Sequence, residues 1–302
     1  LTAAGPVPLT PELRDGLKKT IEHFAEQSLR VIGVASREKP AGSQPEAETG
    51  LTLLGFAGMI DPPRPEVAAA IRKCEQAGIK PVMITGDHKI TAVAIARELG
   101  ILKQGRALSG EEIEKMSEDE FRNIVGDTEV FARISPAHKH KIVDALMARG
   151  NVVAMTGDGV NDAPTLKKAN IGIAMGITGT DVTKEAGDMI LTDDNFASIV
   201  SAVEEGRTIF ENIRKYLVYL LSGNMGTVFA IVAAMIAGLA LPLTAVQILF
   251  INFVMDGLVA IALGVEKPEP GIMRRRPRNV REGILDRRII LEIGLIGLVI
   301  GG

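Results

Sequence analysis

The sequence predicts an α/β protein, a doubly wound parallel sheet, joined to an all-α transmembrane helix segment. Three observations carry that expectation. From Leu51 onward, short apolar runs alternate with amphipathic stretches of helical period. The runs are continuous, as in Pro81-Val82-Met83-Ile84 and Val152-Val153-Ala154-Met155, which suits strands covered on both faces. After Tyr216 the charges stop, and Leu217 to Leu241 is long enough to cross a bilayer core of about 30 Å.

Residues 10–27 read as a helix: Thr10 caps it, Pro11 suits its first turn, and Leu13, Leu17, Ile21 and Phe24 recur at helical spacing. Leu29 to Ala35 is a short strand. Residues 39–50, with Pro, Gly, Ser and Glu, form a linker or loose turn. Strands are expected at 51–58, 80–84, 129–132, 151–155, 171–174 and 188–192. Helices are expected at 65–77, 88–99, 110–116, 118–124, 136–149, 162–168 and 180–186. Ligands of such a sheet lie beyond the carboxyl ends of its strands. After Asn195 a long helix runs through Arg207, Asn212 and Lys215 into the first span. Pro242 turns the chain, 243–265 is a second span interrupted by Asn252 and Asp256, and Ile289 begins a third. The excess of Lys and Arg over 266–288 places that loop, and with it the soluble part, on the cytoplasmic side of the membrane.

Composition narrows the function. A chain of 302 residues suggests about two domains of roughly 150 residues. Its 34 basic and 37 acidic residues nearly balance, and nine Phe, two Tyr and no Trp offer little surface for stacking bases. A nucleic-acid module is excluded on both counts. One cysteine excludes a disulfide framework and a Cys-based zinc site; Cys74 reads as a packing residue. His88 reads as a helix-start residue, and His138 and His140 as surface groups. Leu1-Thr2-Ala3 carries no initiator Met or signal peptide, and Gly302 stops inside an apolar run, so the segment is expected to belong to a longer protein.

Two Asp-bearing loops follow strands. Thr85-Gly86-Asp87 follows Ile84, and Thr156-Gly157-Asp158-Gly159-Val160-Asn161-Asp162 follows Met155. Glycines let backbone approach an anionic ligand. Asp158 and Asp162 are carboxylates suited to a hard cation such as Mg²⁺. Lys139, on the helix after Phe131-Ala132-Arg133, supplies a fixed positive charge. A Thr hydroxyl, a Lys and two Asp around Mg²⁺ make a phosphoryl-transfer site. Thr-Gly-Asp by itself is equally a turn; the whole Thr156–Asp162 run after a strand, with Thr85-Gly86-Asp87 upstream, is far more specific. No Gly-x-x-x-x-Gly-Lys-Ser/Thr occurs, so this is not a P-loop enzyme.

With these runs, Asp61-Pro62-Pro63-Arg64 and His138-Lys139, the chain resembles the P-type cation-transporting ATPases, calcium-pump-like, whose phosphorylation domain has the haloacid-dehalogenase fold. The resemblance implies that Thr85 and Lys139 hold the phosphoryl group and Asp158 binds Mg²⁺. Asn161 and Asp162 complete the site, Gly86 belongs to the catalytic Thr85 loop, and Asp87 supports that loop or reaches nucleotide or Mg²⁺. Arg30, Arg64 and Arg133 lie in matching runs and are the expected ATP-binding arginines; Arg30 alone could equally be a surface charge. It divides the chain into the end of a nucleotide-binding domain (1–40), a linker (41–50), a phosphorylation domain (51–200), a stalk helix (201–216) and a membrane region (217–302, spans about 217–241, 243–265 and 289–302). The family's phosphorylated Asp lies in Asp-Lys-Thr-Gly-Thr, which does not occur here, so the segment alone is not expected to hydrolyse ATP.

Asn224, Asn252 and Asp256 are the polar groups of the spans that point to an ion path. Asn252 and Asp256, four apart, share a helical face. Amide and carboxylate oxygens suit Ca²⁺, with Mn²⁺ second; an interhelical polar contact is the alternative for Asn224. Ser222-Gly223-Asn224 and Asn252 to Gly257 resemble the fifth- and sixth-helix ion motifs of calcium pumps. Two-ion calcium pumps have a carboxylate and a hydroxyl where this chain has Thr227 and Met255, so one ion per cycle is expected. The expected function is ATP-driven Ca²⁺ transport through an aspartyl phosphate, by a multi-pass protein of the cell membrane. A Na⁺, H⁺ or Mn²⁺ pump, a soluble phosphatase of this fold and a non-catalytic membrane scaffold are the alternatives.

Overall fold

The structure, a computed structural model, describes residues 5–27, 29–37, 50–59, 62–279 and 282–302, and of Met255 and Asp256 the backbone alone. Ser28, Asp61 and nearly all of the expected linker lie outside the described residues.

Helix α1 (Pro11–Glu26) starts as its sequence dictates, with Thr10 Oγ1 accepting from the Leu13 N–H at 3.3 Å and Pro11 in the first turn. Strand β1 (Arg30–Ser36) then pairs antiparallel with β2 (Thr52–Met59), Arg30 opposite Met59. This corrects the reading of 51–58 as the first strand of the parallel sheet. No residue of β2 is fully buried, and a strand covered on both faces would need many.

The parallel strands follow, alternating with helices: α2 (Val67–Gln76), β3 (Met83–Ile84), α3 (Lys89–Glu98), β4 (Arg106–Ser109), α4 (Gly110–Glu114), α5 (Glu118–Ile124), β5 (Thr128–Ala132), α6 (Pro136–Ala148), β6 (Ala154–Gly157), α7 (Ala163–Lys168), β7 (Ile171–Met175), α8 (Asp181–Ala186) and β8 (Met189–Leu191). The strands pair in two three-stranded parallel sheets, ordered β3-β5-β4 and β6-β7-β8, rather than in one continuous ladder. Strand β4 has no counterpart in the expectation. Strand β3 is shorter than 80–84, in keeping with Pro81, which cannot donate to a ladder.

One core lies among Leu108, Ile113, Phe121, Val125, Phe131 and Ile142, where the Phe121 and Phe131 rings meet edge to face at 6.4 Å. A second joins Val143, Met155, Ala163 and Leu166. Ile84 packs against both, so the two sheets share a hydrophobic interior. Cys74 is buried and free, and burial raises its pKa.

The described residues fall into two compact units, one from Leu1–Arg72 and Lys80–Ala197, the other from Lys73–Ile79 and Ser198–Gly302. In the second, the expected stalk and first span form a single helix, α9 (Phe196–Ile236), of 41 residues and about 62 Å. It ends before Leu241 because Gly238 adopts a left-handed φ of 66° that lets the Leu239 N–H reach the Ala234 carbonyl at 2.9 Å. The second span begins as α10 (Ala245–Phe250), passes through a π-helical segment, Ile251–Asp256, and continues as α11 (Gly257–Gly264). Both α9 and Ala245–Gly264 are long and apolar enough to cross a membrane. Helix α12 (Arg287–Gly301) is capped by Asp286, which accepts from the Ile289 N–H at 2.8 Å.

The basic loop between α11 and α12 is strapped to α9. Arg207 donates to the carbonyls of Ala77, Ile272 and Arg275 at 2.8–3.0 Å, and Asn212 Nδ2 to that of Glu266 at 3.0 Å. Lys215 meets Glu266 at 2.9 Å and Glu269 at 3.0 Å, and Arg275 pairs with Glu211 and Glu269. Arg278 lies over the Phe210 ring at 3.9 Å. Hydrogen bonds to Glu266 and Glu269 raise the Lys215 pKa, while those from Lys215 and Arg275 lower that of Glu269.

Candidate phosphoryl-transfer site

The loop after β3 is tied to the loop after β5. Pairing of Ile84 with Phe131 continues as Thr85 N–H donates to the Phe131 carbonyl at 2.9 Å. Arg133 N–H then donates to the Asp87 carbonyl at 3.0 Å, and Ile134 N–H to that of Thr85 at 3.1 Å. Within the first loop, Thr85 Oγ1 donates to Asp87 Oδ2 at 3.0 Å and accepts from the Asp87 N–H at 3.1 Å. Asp87 therefore fixes the Thr85 hydroxyl. Gly86 has open space where a Cβ would stand. Arg133 turns the second loop with a left-handed φ of 50°, which non-glycine residues seldom adopt.

The helix after that loop supplies the lysine. Ser135 caps α6, accepting from the His138 N–H, while His138 Nδ1 accepts from the Ser135 N–H, both at 3.4 Å. His138 Nε2 reaches Glu114 at 3.1 Å, with the imidazole only 13 % exposed. His138 is thus part of the cap and not the surface group expected. Its neighbour Lys139 sends Nζ to Asp162 Oδ1 at 2.6 Å, and Asp162, with a side chain 7 % exposed, is buried. A buried carboxylate needs such a cation. Asp162 Oδ2 also accepts from the Gly159 N–H at 3.4 Å. A Cβ at Gly157 would stand 2.6 Å from that of Asp162, so the end of β6 requires glycine there.

Asp158 occupies the same loop. Its carbonyl accepts from the Thr180 N–H at 3.1 Å and from Thr183 Oγ1 at 3.3 Å, both at the start of α8. Its carboxylate is exposed and has no hydrogen bond or ion pair among the described residues. An unengaged hard oxygen donor beside a Lys-neutralised carboxylate fits Mg²⁺, which takes one or two carboxylates and keeps waters and phosphate oxygens. Asn161 is exposed in the same loop. Hydrogen bonds and one ion pair therefore run without a break through the segments that follow β3, β5, β6 and β7.

The side chains of other expected residues lie apart from this path. Arg30 is exposed at the start of β1, and Arg64 Nη1 donates to the Asp193 carbonyl at 3.4 Å. Arg133 pairs with Glu111 at 3.6 Å. Asn224 and Asn252 are exposed and unpartnered among the described residues, and the Asp256 side chain lies outside them. Thr227 Oγ1 donates to the Gly223 carbonyl at 3.2 Å. No group of three or more His, Cys, Asp or Glu able to hold a metal occurs among the described residues.

Sequence reasoning passed over Asp194. With a left-handed φ of 49°, its carboxylate accepts from the N–H groups of Gly176, Ile177 and Thr178 at 2.6–3.0 Å and from the Thr178 hydroxyl at 2.7 Å. Desolvation opposes ionisation, but these bonds, led by that from Ile177, hold its pKa down to about 2. Thr180 and Thr183 were also missed; they look like ordinary helix-start residues.

Parallel strands with phosphoryl-type loops at their carboxyl ends define a haloacid dehalogenase-like hydrolase, and the chain belongs to that family, whose model matches residues 12–170. Its relatives are cation-transporting ATPases by name. A model described as the C-terminus of cation transporting ATPases matches residues 240–302. The chain is 52 % identical over 285 residues to a calcium-transporting ATPase of Bacillus subtilis, covering 93 % of this chain and 32 % of that protein. It is 49 % identical over 298 residues to calcium-transporting ATPase 1 of Lactococcus lactis (97 % and 34 %). It is 43 % identical over 311 residues to an endoplasmic reticulum calcium ATPase of Aspergillus fumigatus (98 % and 32 %). These findings bear out the resemblance to P-type cation-transporting ATPases. The chain spans about a third of the length of these curated relatives.

Proposed function

We propose that the full-length protein is an ATP-driven pump that moves Ca²⁺, one ion per cycle, across a membrane through an aspartyl phosphate formed on a residue outside this segment. The observation that carries the reading is the linked row of strand-end groups: Thr85 with Asp87, Lys139 with Asp162, and the unengaged Asp158 carboxylate. Thr85 and Lys139 hold the phosphoryl oxygens, the lysine offsetting their charge, and Asn161 and Asp162 complete the site. Asp158 holds Mg²⁺, which when bound neutralises phosphate charge. Arg30, Arg64 and Arg133 meet the nucleotide, and residues 1–40 are the tail of its binding domain.

Asn224, Asn252 and Asp256 are the segment's share of the cation site, and α9 links it to the phosphorylation domain at 51–200. The single ion follows from chemistry. Thr227 offers a neutral hydroxyl, which cannot replace a carboxylate's charge, and Met255 a thioether, a poor ligand for a hard cation. The basic loop puts the catalytic part on the cytoplasmic side, and the membrane is the cell membrane. That the relatives are calcium-transporting ATPases supports that ion over Mn²⁺, Na⁺ or H⁺. The test is phosphoenzyme formation in the full-length protein. Asp158→Asn, which keeps shape and removes the charged ligand, should abolish it, and equilibrium Ca²⁺ binding should give one ion per phosphoenzyme in the parent. Normal phosphoenzyme in that variant overturns the catalytic reading, and a ratio near two overturns the single-ion reading.

A further inference from the structure

Asp158 stands between two glycines, so its own sequence does little to hold the backbone from which its carboxylate projects. What holds it comes from the segment after β7. The Asp158 carbonyl accepts from the Thr180 N–H at 3.1 Å and from the Thr183 hydroxyl at 3.3 Å. Thr183 is 0 % exposed, and its Oγ1 lies 2.6 Å from Thr180 Oγ1. A carbonyl can only accept, so the Thr183 proton points to Asp158 and the Thr180 hydroxyl donates to Thr183. Thr180 Oγ1 in turn accepts from the Thr183 N–H at 3.3 Å. The chain of donors is complete in one direction only.

The segment that carries these threonines is itself anchored. Asp194 gathers the N–H groups of Gly176, Ile177 and Thr178, and Gly179 lies so close to the Met175 carbonyl that no Cβ fits. We infer that Thr183 is a positioning residue, which aims the Asp158 carboxylate at the divalent cation by holding the Asp158 carbonyl through its buried hydroxyl. The inference rests on the assignment of Mg²⁺ to Asp158.

The full-length protein is titrated with Mn²⁺, the probe ion, and bound metal is read by electron paramagnetic resonance. Asp158→Asn identifies the site by removing it. Thr183→Val, which keeps volume and loses the hydroxyl, weakens that site about tenfold, the usual scale for loss of an outer-shell partner. Thr183→Ser returns it to within about twofold of the parent. Thr183→Ala serves the same comparison should valine not fold. Faster hydrogen exchange at the Thr180 amide in the valine or alanine variant supports the same conclusion. Unchanged Mn²⁺ affinity in those variants overturns the inference while Asp158 keeps its role. Equal weakening in Thr183→Ser overturns it too, since volume and not the hydroxyl would then matter. A Mn²⁺ site that survives Asp158→Asn removes the reading on which the inference stands.

Discussion

In the α/β unit two pairs of the proposed chemistry hold each other, Thr85 with Asp87 and Lys139 with Asp162, while Asp158 is held through its backbone carbonyl. In the helical unit Asn224 and Asn252 are exposed and hold nothing among the described residues, although the basic loop is bound to α9 at Arg207, Asn212 and Lys215. The difference is one of preorganisation. Electrostatic catalysis needs its groups aimed before the substrate arrives, and neighbouring strand ends supply that aim from within one stretch of chain. A cation site takes oxygens from several elements, and two helices set only where theirs stand.

The comparison breaks most visibly at Lys139. Lys139→Ala leaves the buried Asp162 carboxylate without its cation and should cost about 3–5 kcal/mol, read as a shift in the denaturation midpoint of the full-length protein. Phosphoenzyme turnover should fall with it; a parental midpoint would show that the pair organises nothing. Next is Gly157→Ala, whose Cβ would meet that of Asp162 at 2.6 Å. It should cost about 1–3 kcal/mol. Gly86→Ala, placed in open space, should stay within about 0.5 kcal/mol, and similar costs at both positions would deny that the Asp162 loop is the tightly fitted one.

In the helical unit the balance reverses. Asn252→Ala should change stability by no more than about 0.5 kcal/mol yet abolish cation-dependent phosphorylation; a large loss of stability would place Asn252 among the structural residues. The smallest effect concerns Asp194. Its folded-state pKa, about 2, lies below the ordinary carboxylate value of about 4. The stability it contributes is therefore complete above pH about 4 and is lost as pH falls through about 2. The difference in melting temperature between the parent and Asp194→Asn should shrink over that interval, and a constant difference would deny the carboxylate its role.

The strands around the site were legible because continuous apolar runs ending in Thr-Gly-Asp have few other uses. Arg106–Ser109 was not: β4 is a short edge strand with a polar residue at each end. Thr52–Met59 misled because apolar content does not distinguish a parallel strand from an antiparallel partner. The π-helical turn at Ile251–Asp256 was hidden because a four-residue spacing of Asn252 and Asp256 suits an α-helix equally well. Asp194, Thr180 and Thr183 carry common capping chemistry, and only their partners reveal what they hold. Arg207 contacts carbonyls far from it in sequence, and carbonyls leave no mark on a residue pattern.

The two kinds of link between α9 and the basic loop differ in what could undo them. The ion pairs of Lys215 and Arg275 are partly exposed, and dissolved salt weakens such pairs. Arg207 binds neutral carbonyls from a site where burial lowers its pKa, yet a guanidinium keeps its charge at any physiological acidity. Its two bonds to the loop, on the Ile272 and Arg275 carbonyls, depend little on ionic strength or proton concentration, so the loop remains fastened to the helix when either changes.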